Sequence, residues 1–179
     1  SIAAGLSFEW FRSNLKKDIK LVRAMPNLPA SVGFGATGYC KTDSVKNIEL
    51  LDVQDLLNAF GKAIYLEDES FIDVVTAISG SGPAYVFYFA EVLSEIVLNQ
   101  GLSKKNAMAL AIETIIGSAR LLEMSNINPK VLKENVTSPG GTTEAGLEIL
   151  ASKDYGLYDL LYKTFGAAKK RARELNSNG

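Results

Sequence analysis

The sequence predicts a mainly α protein, an all-helical C-terminal domain preceded by the tail end of an α/β sheet. Three observations predict it. Over residues 1–67 short β-type runs alternate with helical periodicity. From Glu69 onward every periodic segment has helical spacing. Serine, glycine and proline then punctuate that second stretch at helix-length intervals. The division falls between residues 67 and 68, giving domains of 1–67 and 68–179.

In chain order, Ser7 is placed to cap a short helix carrying Phe8, Trp10, Phe11 and Leu15. Ile19 to Arg23 and Gly33 to Cys40 read as strands. Val45 to Phe60 has helical spacing at Ile48, Leu51, Leu56, Leu57 and Phe60 and stops at Gly61, after which Lys62 to Leu66 is a short strand. Phe71 to Ile78 is helical. A longer helix starts at Pro83, a good first-turn residue, and ends at Gly101. Ser103 caps the next, which runs to about Met124, and Asn128-Pro129 opens a short one. Gly140-Gly141 leads into another, and Tyr155 to Leu175 forms the last.

Composition narrows the chemistry. The 179 residues carry a net charge of −1, so no basic field favours nucleic acid or an acidic membrane surface. The basic run Lys169, Lys170, Arg171 and Arg173 reads as the solvated face of a helix. The sequence contains no histidine, which excludes histidine-based triads and histidine metal ligation within this chain. One cysteine, Cys40, allows no internal disulfide and no cysteine-rich metal site, which fits a reducing cytoplasm. No secretion signal opens the chain, and the apolar run from Pro83 to Phe89 is too short to span a bilayer.

Two helices bear on assembly. Ala84 to Ala90 and Ala107 to Ile112 are apolar around the full turn, whereas a surface helix needs only a stripe. A domain of this size has too little volume to bury two such helices alone. A second copy of the chain would complete the burial, giving a homodimer through the helical domain. Higher assembly is not written in this pattern.

Four glycine- or proline-marked stretches are candidates for function. Ser138-Pro139-Gly140-Gly141-Thr142-Thr143 feeds a helix whose first amides lack intrahelical partners, and the glycines leave them uncovered among three hydroxyls. Such a nest suits a small anion, although a plain glycine-rich helix cap has the same appearance. Met25-Pro26-Asn27-Leu28-Pro29 ends a strand, because prolines forbid further pairing, and strand ends are where ligands sit in open α/β sheets. Ser79-Gly80-Ser81-Gly82-Pro83 is a small-residue entry to a buried helix, which packing explains as well as a ligand does. Gly33-Phe34-Gly35-Ala36-Thr37-Gly38 matches G-x-G-x-x-G, but prolines precede it and β-type residues follow. A dinucleotide loop needs a strand before and a helix after, so this stretch is read as a strand.

Taken together, Met25–Pro29, Ala77–Tyr85 and Ser138–Gly146 resemble the pyrroline-5-carboxylate reductase family, in order and spacing, from Ser1 to about Leu175. The resemblance implies reduction of 1-pyrroline-5-carboxylate to L-proline, the last step of proline biosynthesis, with NADP or NAD as cofactor. The family opens with a Rossmann-type nucleotide-binding domain, of which residues 1–67 match only the last part. This chain would therefore contact only the nicotinamide end, through Ala3, Ala4, Met25, Pro26 and Asn27. Leu28 stands where the family usually has threonine and is left out. The substrate carboxylate would rest on Ser138, Gly140, Gly141, Thr142 and Thr143, with Asn135 orienting the loop. Thr143 is the candidate catalytic hydroxyl, and the Ser79–Pro83 turn is placed near the site. The alternative is a non-catalytic helical dimerisation and substrate half, inactive without a nucleotide domain.

Overall fold

The computed structural model describes residues 1–15 and 19–177. Its elements are α1 (Phe8–Asn14), β1 (Val22–Met25), a 3-10 helix (Leu28–Val32), β2 (Gly35–Lys41), α2 (Asn47–Asn58), β3 (Gly61–Tyr65) and α3 (Phe71–Val75). A π-helical turn (Thr76–Gly80) follows, then α4 (Gly82–Asn99), α5 (Lys104–Ser125), α6 (Pro129–Asn135), α7 (Thr142–Leu150) and α8 (Leu157–Ser177). The fold is mainly α with one small sheet. Among the described residues all strands end by Tyr65 and every regular element from Phe71 is helical, as the sequence pattern indicates.

The chain forms two compact units. One comprises residues 1–84 with the stretch from Lys163, and the other residues 85–162. In the first, strand order is β1-β2-β3, with β1 antiparallel and β3 parallel to β2. Successive strand residues face opposite sides. Ala24, Tyr39 and Ala63 therefore pack on one face with Leu50 and Leu57 of α2. Met25 and Cys40 pack on the other with Ile72 and Val75 of α3 and Phe8 of α1.

Strand β1 lies later than the run Ile19–Arg23 suggests. Its ladder is bounded by chemistry at both ends. The Leu21 amide is taken by the Thr42 hydroxyl (3.1 Å), and beyond Met25 the chain leaves the strand through Pro26 and Asn27 for the 3-10 helix Leu28–Val32. The predicted helix Phe71–Ile78 is also altered, because α3 ends at Val75 and passes into the π-helical turn. There the Thr76 hydroxyl donates to the Ile72 carbonyl (2.8 Å), and the Ser81 amide reaches Thr76, five residues back (2.9 Å).

The supposed nucleotide motif is β-structure. Gly35 and Gly38 belong to β2. A Cβ on Gly38 would stand 2.6 Å from Val75 Cγ2, so this glycine lets α3 lie against the sheet.

An ion pair joins the sheet to the helices of this unit. Arg23 is 2% exposed on β1, and its guanidinium meets Glu69 at 2.8 Å. The same Glu69 oxygen accepts the Phe8 amide at 2.7 Å, which fixes the start of α1. Farther out, Arg173 of α8 lies 3.8 Å from Asp73 of α3.

The second unit is built differently. Its α4 runs Gly82–Asn99, yet Phe87 and Tyr88 are 57% and 66% exposed. Among its described helical residues Ser94, Ala107 and Ala111 are buried, and none of these is large. An apolar groove between α4 and α5, lined by Val86, Phe87, Met108, Ile112 and Ile116, measures about 680 Å³. The all-round apolar helices anticipated from sequence are present, and among the described residues much of their large apolar surface, Phe87, Tyr88 and Met108 included, is exposed while Ala107 and Ala111 are buried.

Two predictions follow from the first unit. Glu69→Ala removes the carboxylate beside a buried guanidinium and the acceptor of the Phe8 amide. It should cost about 3 kcal/mol in chemical denaturation, and a loss below about 1 kcal/mol would show the pair to be dispensable. Burial, assisted by Glu69, pushes the Cys40 thiol from its ordinary 9.0 up to about 11. The folded state thus favours the neutral thiol, and this contribution is complete below pH 9.0 and lost as pH rises toward about 11. Cys40 should resist alkylation at neutral pH and react on unfolding; rapid labelling of the native chain would contradict its burial.

Candidate functional site

The sequence-marked residues fall into two groups, one in each compact unit. In the first unit they gather at the end of β1. Met25 is the last, buried residue of the strand, Pro26 ends its pairing, and Asn27 precedes the 3-10 helix, in which Leu28 is exposed. The turn through Ala3, Ala4 and Gly5 lies close by. Ala4, Gly5 and Met25 line one small cleft together with Thr76 and Leu175, so the structure brings together two stretches widely separated in sequence.

Asn27 has an unusual set of partners. An asparagine at a helix start commonly caps it, but here the side chain makes no cap bond. Its Oδ1 accepts the Ala36 amide (2.9 Å), and its Nδ2 donates to the carbonyl and the hydroxyl of Ser79, each at 3.2 Å. The Ser79 hydroxyl in turn donates to the Ala36 carbonyl (2.8 Å). Sequence reasoning marked both Asn27 and Ser79 without connecting them. The residues themselves carried no sign of that link, since they stand 52 positions apart.

In the second unit the remaining candidates sit around the start of α7. Asn135 ends α6 and is exposed. Thr142 and Thr143 are the first two residues of α7, also exposed, with Gly141 as N-cap. Gly140 is in the left-handed region at φ +70°, which turns the chain sharply into the helix. Gly141 has a different reason to lack a side chain. A Cβ there would stand 2.5 Å from the Ser138 hydroxyl and 2.9 Å from the Ser138 carbonyl.

The amides of this loop are partly engaged by the chain itself. Gly141 donates to the Ser138 carbonyl (3.0 Å), and Gly140 donates to Glu144 Oε2 (2.7 Å). Glu144 is the one carboxylate in the first turn of α7, where the helix dipole favours negative charge. A glutamate three residues after the N-cap has capping-box spacing, but here it bonds Gly140, the residue before the N-cap, while the Gly141 amide goes to Ser138. The amides of Thr142 and Thr143, at the first two helical positions, have no intrahelical acceptor. The helix start is therefore competent for a carboxylate, and one of its nearest amides already holds one.

Among the described residues no cluster of three or more histidine, cysteine, aspartate or glutamate side chains could hold a metal. No helix among them is long and apolar enough to cross a membrane.

A three-stranded sheet followed by helices, one of them entered through a glycine-rich loop, defines the class: a mainly α protein with one small sheet. The comparisons with known proteins then specify it. Residues 69–175 match the family model described as pyrroline-5-carboxylate reductase dimerisation, and the chain belongs to the pyrroline-5-carboxylate reductase family. It is 38% identical over 172 residues to pyrroline-5-carboxylate reductase of Aquifex aeolicus, covering 95% of this chain and 64% of that protein. The enzyme of the same name from Pseudomonas aeruginosa is 37% identical over 175 residues, covering 98% of this chain and 63% of its own length. Among solved structures, a pyrroline-5-carboxylate reductase from Coxiella burnetii superposes with a TM-score of 0.92 at 38% identity, over 98% of this chain and 64% of that one. The Plasmodium falciparum pyrroline carboxylate reductase with NADP bound superposes with a TM-score of 0.87 at 32% identity, over 98% of this chain and 66% of that one. The chain thus spans just under two thirds of the length of these relatives.

Glu144→Ala should release the Gly140 amide and remove the one carboxylate at the start of α7. Amide exchange at Gly140 should accelerate and stability fall by about 1 kcal/mol. Unchanged exchange at Gly140 would show that the bond is not formed in solution.

Proposed function

We propose that this chain is the substrate-holding and dimer-forming part of an enzyme that reduces the C=N bond of 1-pyrroline-5-carboxylate to give L-proline. The observation that carries the reading is the Ser138–Thr143 loop at the start of α7, in a chain of this family. Residues 68–179 are the helical domain, and residues 1–67 are the end of a nucleotide-binding domain. The lone free thiol, Cys40, suits a cytoplasmic setting.

The substrate carboxylate rests on the amides of Gly140, Gly141 and Thr142 and on the Ser138 hydroxyl, with Asn135 steadying the loop. To reach Gly140 it takes the place of Glu144; the free first-turn amides of α7 are its other donors. Holding the ring this way limits its rotation, and orientation of the reacting carbon is the larger part of what this chain supplies. The ring nitrogen gains a proton as the neighbouring carbon is reduced. Thr143, exposed on the first turn of α7, offers the nearest hydroxyl for that nitrogen, with solvent behind it, because the chain has no histidine.

NADP or NAD supplies the hydride when bound. A fit is supported by the small-residue turn Ala3–Ala4–Gly5 lying beside Met25 at the end of β1, and by the relative from Plasmodium falciparum described with NADP bound. Ala3, Ala4, Met25, Pro26 and Asn27 would border the nicotinamide. Choice between the two cofactors belongs to the nucleotide-binding domain.

The exposed faces of α4 and α5 support assembly as a homodimer, each copy covering the other's apolar groove. This agrees with the description of the matched family model.

Calorimetric titration with L-proline, with D-proline and glycine as controls, tests the reading. Saturable binding selective for L-proline is expected in the enzyme with its nucleotide-binding domain, and equal binding of all three would overturn it. Gly141→Ala forces Ser138 out of place and should weaken L-proline binding at least roughly tenfold; unchanged affinity would remove the loop from the site. Thr143→Ala should lower imine turnover by roughly ten- to a hundredfold, and unaltered kinetics would exclude its hydroxyl from the reaction.

A further inference from the structure

We infer that Asn27 and Ser79 are positioning residues, which lock the loop after β1 to the π-helical turn ahead of α4 and so hold the cofactor-facing backbone in one place. The inference rests on the function proposed above and deepens it, because it separates what Asn27 does from what its neighbours do.

The register of the sheet carries the argument. Strand β1 pairs with β2 as Val22 with Lys41 through Met25 with Gly38. Continued by two residues, this register sets Asn27 opposite Ala36. The strand ends at Met25 and the chain turns into the 3-10 helix at Leu28, which would leave the amide and carbonyl of Ala36 without strand partners on this edge. Neither is left open. The Asn27 carboxamide takes the amide and the Ser79 hydroxyl supplies the carbonyl, while Asn27 Nδ2 binds Ser79. Two side chains thus replace one missing rung and join three segments in a closed ring of hydrogen bonds.

Both ends of the Asn27 carboxamide are consumed in this ring. Its side chain has no strong donor to spare for a cofactor, and what the loop offers a ligand is its backbone and Pro26. The contribution of Asn27 is geometric. With the strand ended at Met25, the loop has no strand bonds of its own, and its distance from the sheet end is set by Asn27. The π-helical turn is held from the same point, and segments of this kind recur at functional sites.

The test uses the complete enzyme with its nucleotide-binding domain, in four forms: wild type, Ser79→Ala, Ser79→Thr and Asn27→Ala. Imine reduction and amide exchange at Ala36 are measured in each. Ser79→Ala deletes a single atom, and its fold can be checked by its thermal midpoint. The expected result is a kcat roughly tenfold lower for Ser79→Ala, a cofactor KM raised several-fold, and an imine KM within about twofold of wild type. Asn27→Ala should behave alike or worse, with faster exchange at Ala36 in both. Ser79→Thr keeps the hydroxyl and should recover most of the activity.

Faster exchange at Ala36 with kcat and cofactor KM unchanged would overturn the inference, leaving the ring as a strand cap alone. Unchanged exchange in both alanine variants would overturn it as well, by showing no ring to break. Wild-type enzyme that fails to reduce the imine would instead sink the proposed function, and the positioning role with it; the two failures are told apart by the wild-type rate.

Discussion

Much of this structure follows from one constraint: α4 and α5 carry more apolar surface than their own unit can cover. Burying a large apolar side chain contributes about 1.5–3 kcal/mol, and Val86, Phe87, Tyr88, Phe89, Met108 and Ile112 are each more than a third exposed. In the small sheet the balance is the reverse. Tyr39, Cys40 and Ile72 are almost wholly enclosed, and helices lie on both faces. Within a single chain, one unit has a core and the other presents the material for one. The proposed dimer is the direct answer to that imbalance, and it makes the stability of the helical unit depend on protein concentration.

The cored unit is held by a few well-placed polar groups. Arg23 is costly to bury and would be a liability without Glu69, whose carboxylate also fixes the first amide of α1. Glu69 stands at the junction where strands give way to helices, so one side chain ties the β-rich half of the unit to its first helix. Asn27 does comparable work at the opposite end of β1. In both cases a local break in regular structure is repaired by a side chain supplied from far along the chain.

What the sequence made legible was the kind and order of elements. Periodicity and capping residues placed α1 to α8 but not the 3-10 helix, Ser7 and Ser103 cap theirs as their positions suggest, and the nucleotide-like glycine pattern lies in β2 from Gly35 onward, Gly33 instead capping the 3-10 helix. The errors have physical causes. Ile19–Leu21 looks like strand but lies outside the ladder: Leu21 keeps one backbone bond, its carbonyl accepting the Thr42 amide, while its own amide goes to the Thr42 hydroxyl. The π-helical turn has no periodicity of its own and depends on Thr76 bonding back to Ile72. At the candidate site the loops were legible and their partners were not. The spacing of Glu144 from Gly141 suggests a carboxylate turned back on the helix start but not its bond to Gly140, and the bond from Asn27 to Ser79 exists only in three dimensions.

The carboxylate of Glu144 on the Gly140 amide changes what recognition means at the start of α7. An anion arriving there would exchange with the resident carboxylate at Gly140, beside the Thr142 and Thr143 amides that have no intrahelical acceptor. A tethered carboxylate acts at an effective concentration of roughly millimolar or above, so a small free acid at lower concentration gains nothing by competing for that amide. A ligand displaces it only by bringing further contacts, such as a ring that fits and a nitrogen that meets a hydroxyl. On the function proposed above, the loop would act as a filter: it would discount the feature common to all carboxylates and leave selection to the rest of the molecule.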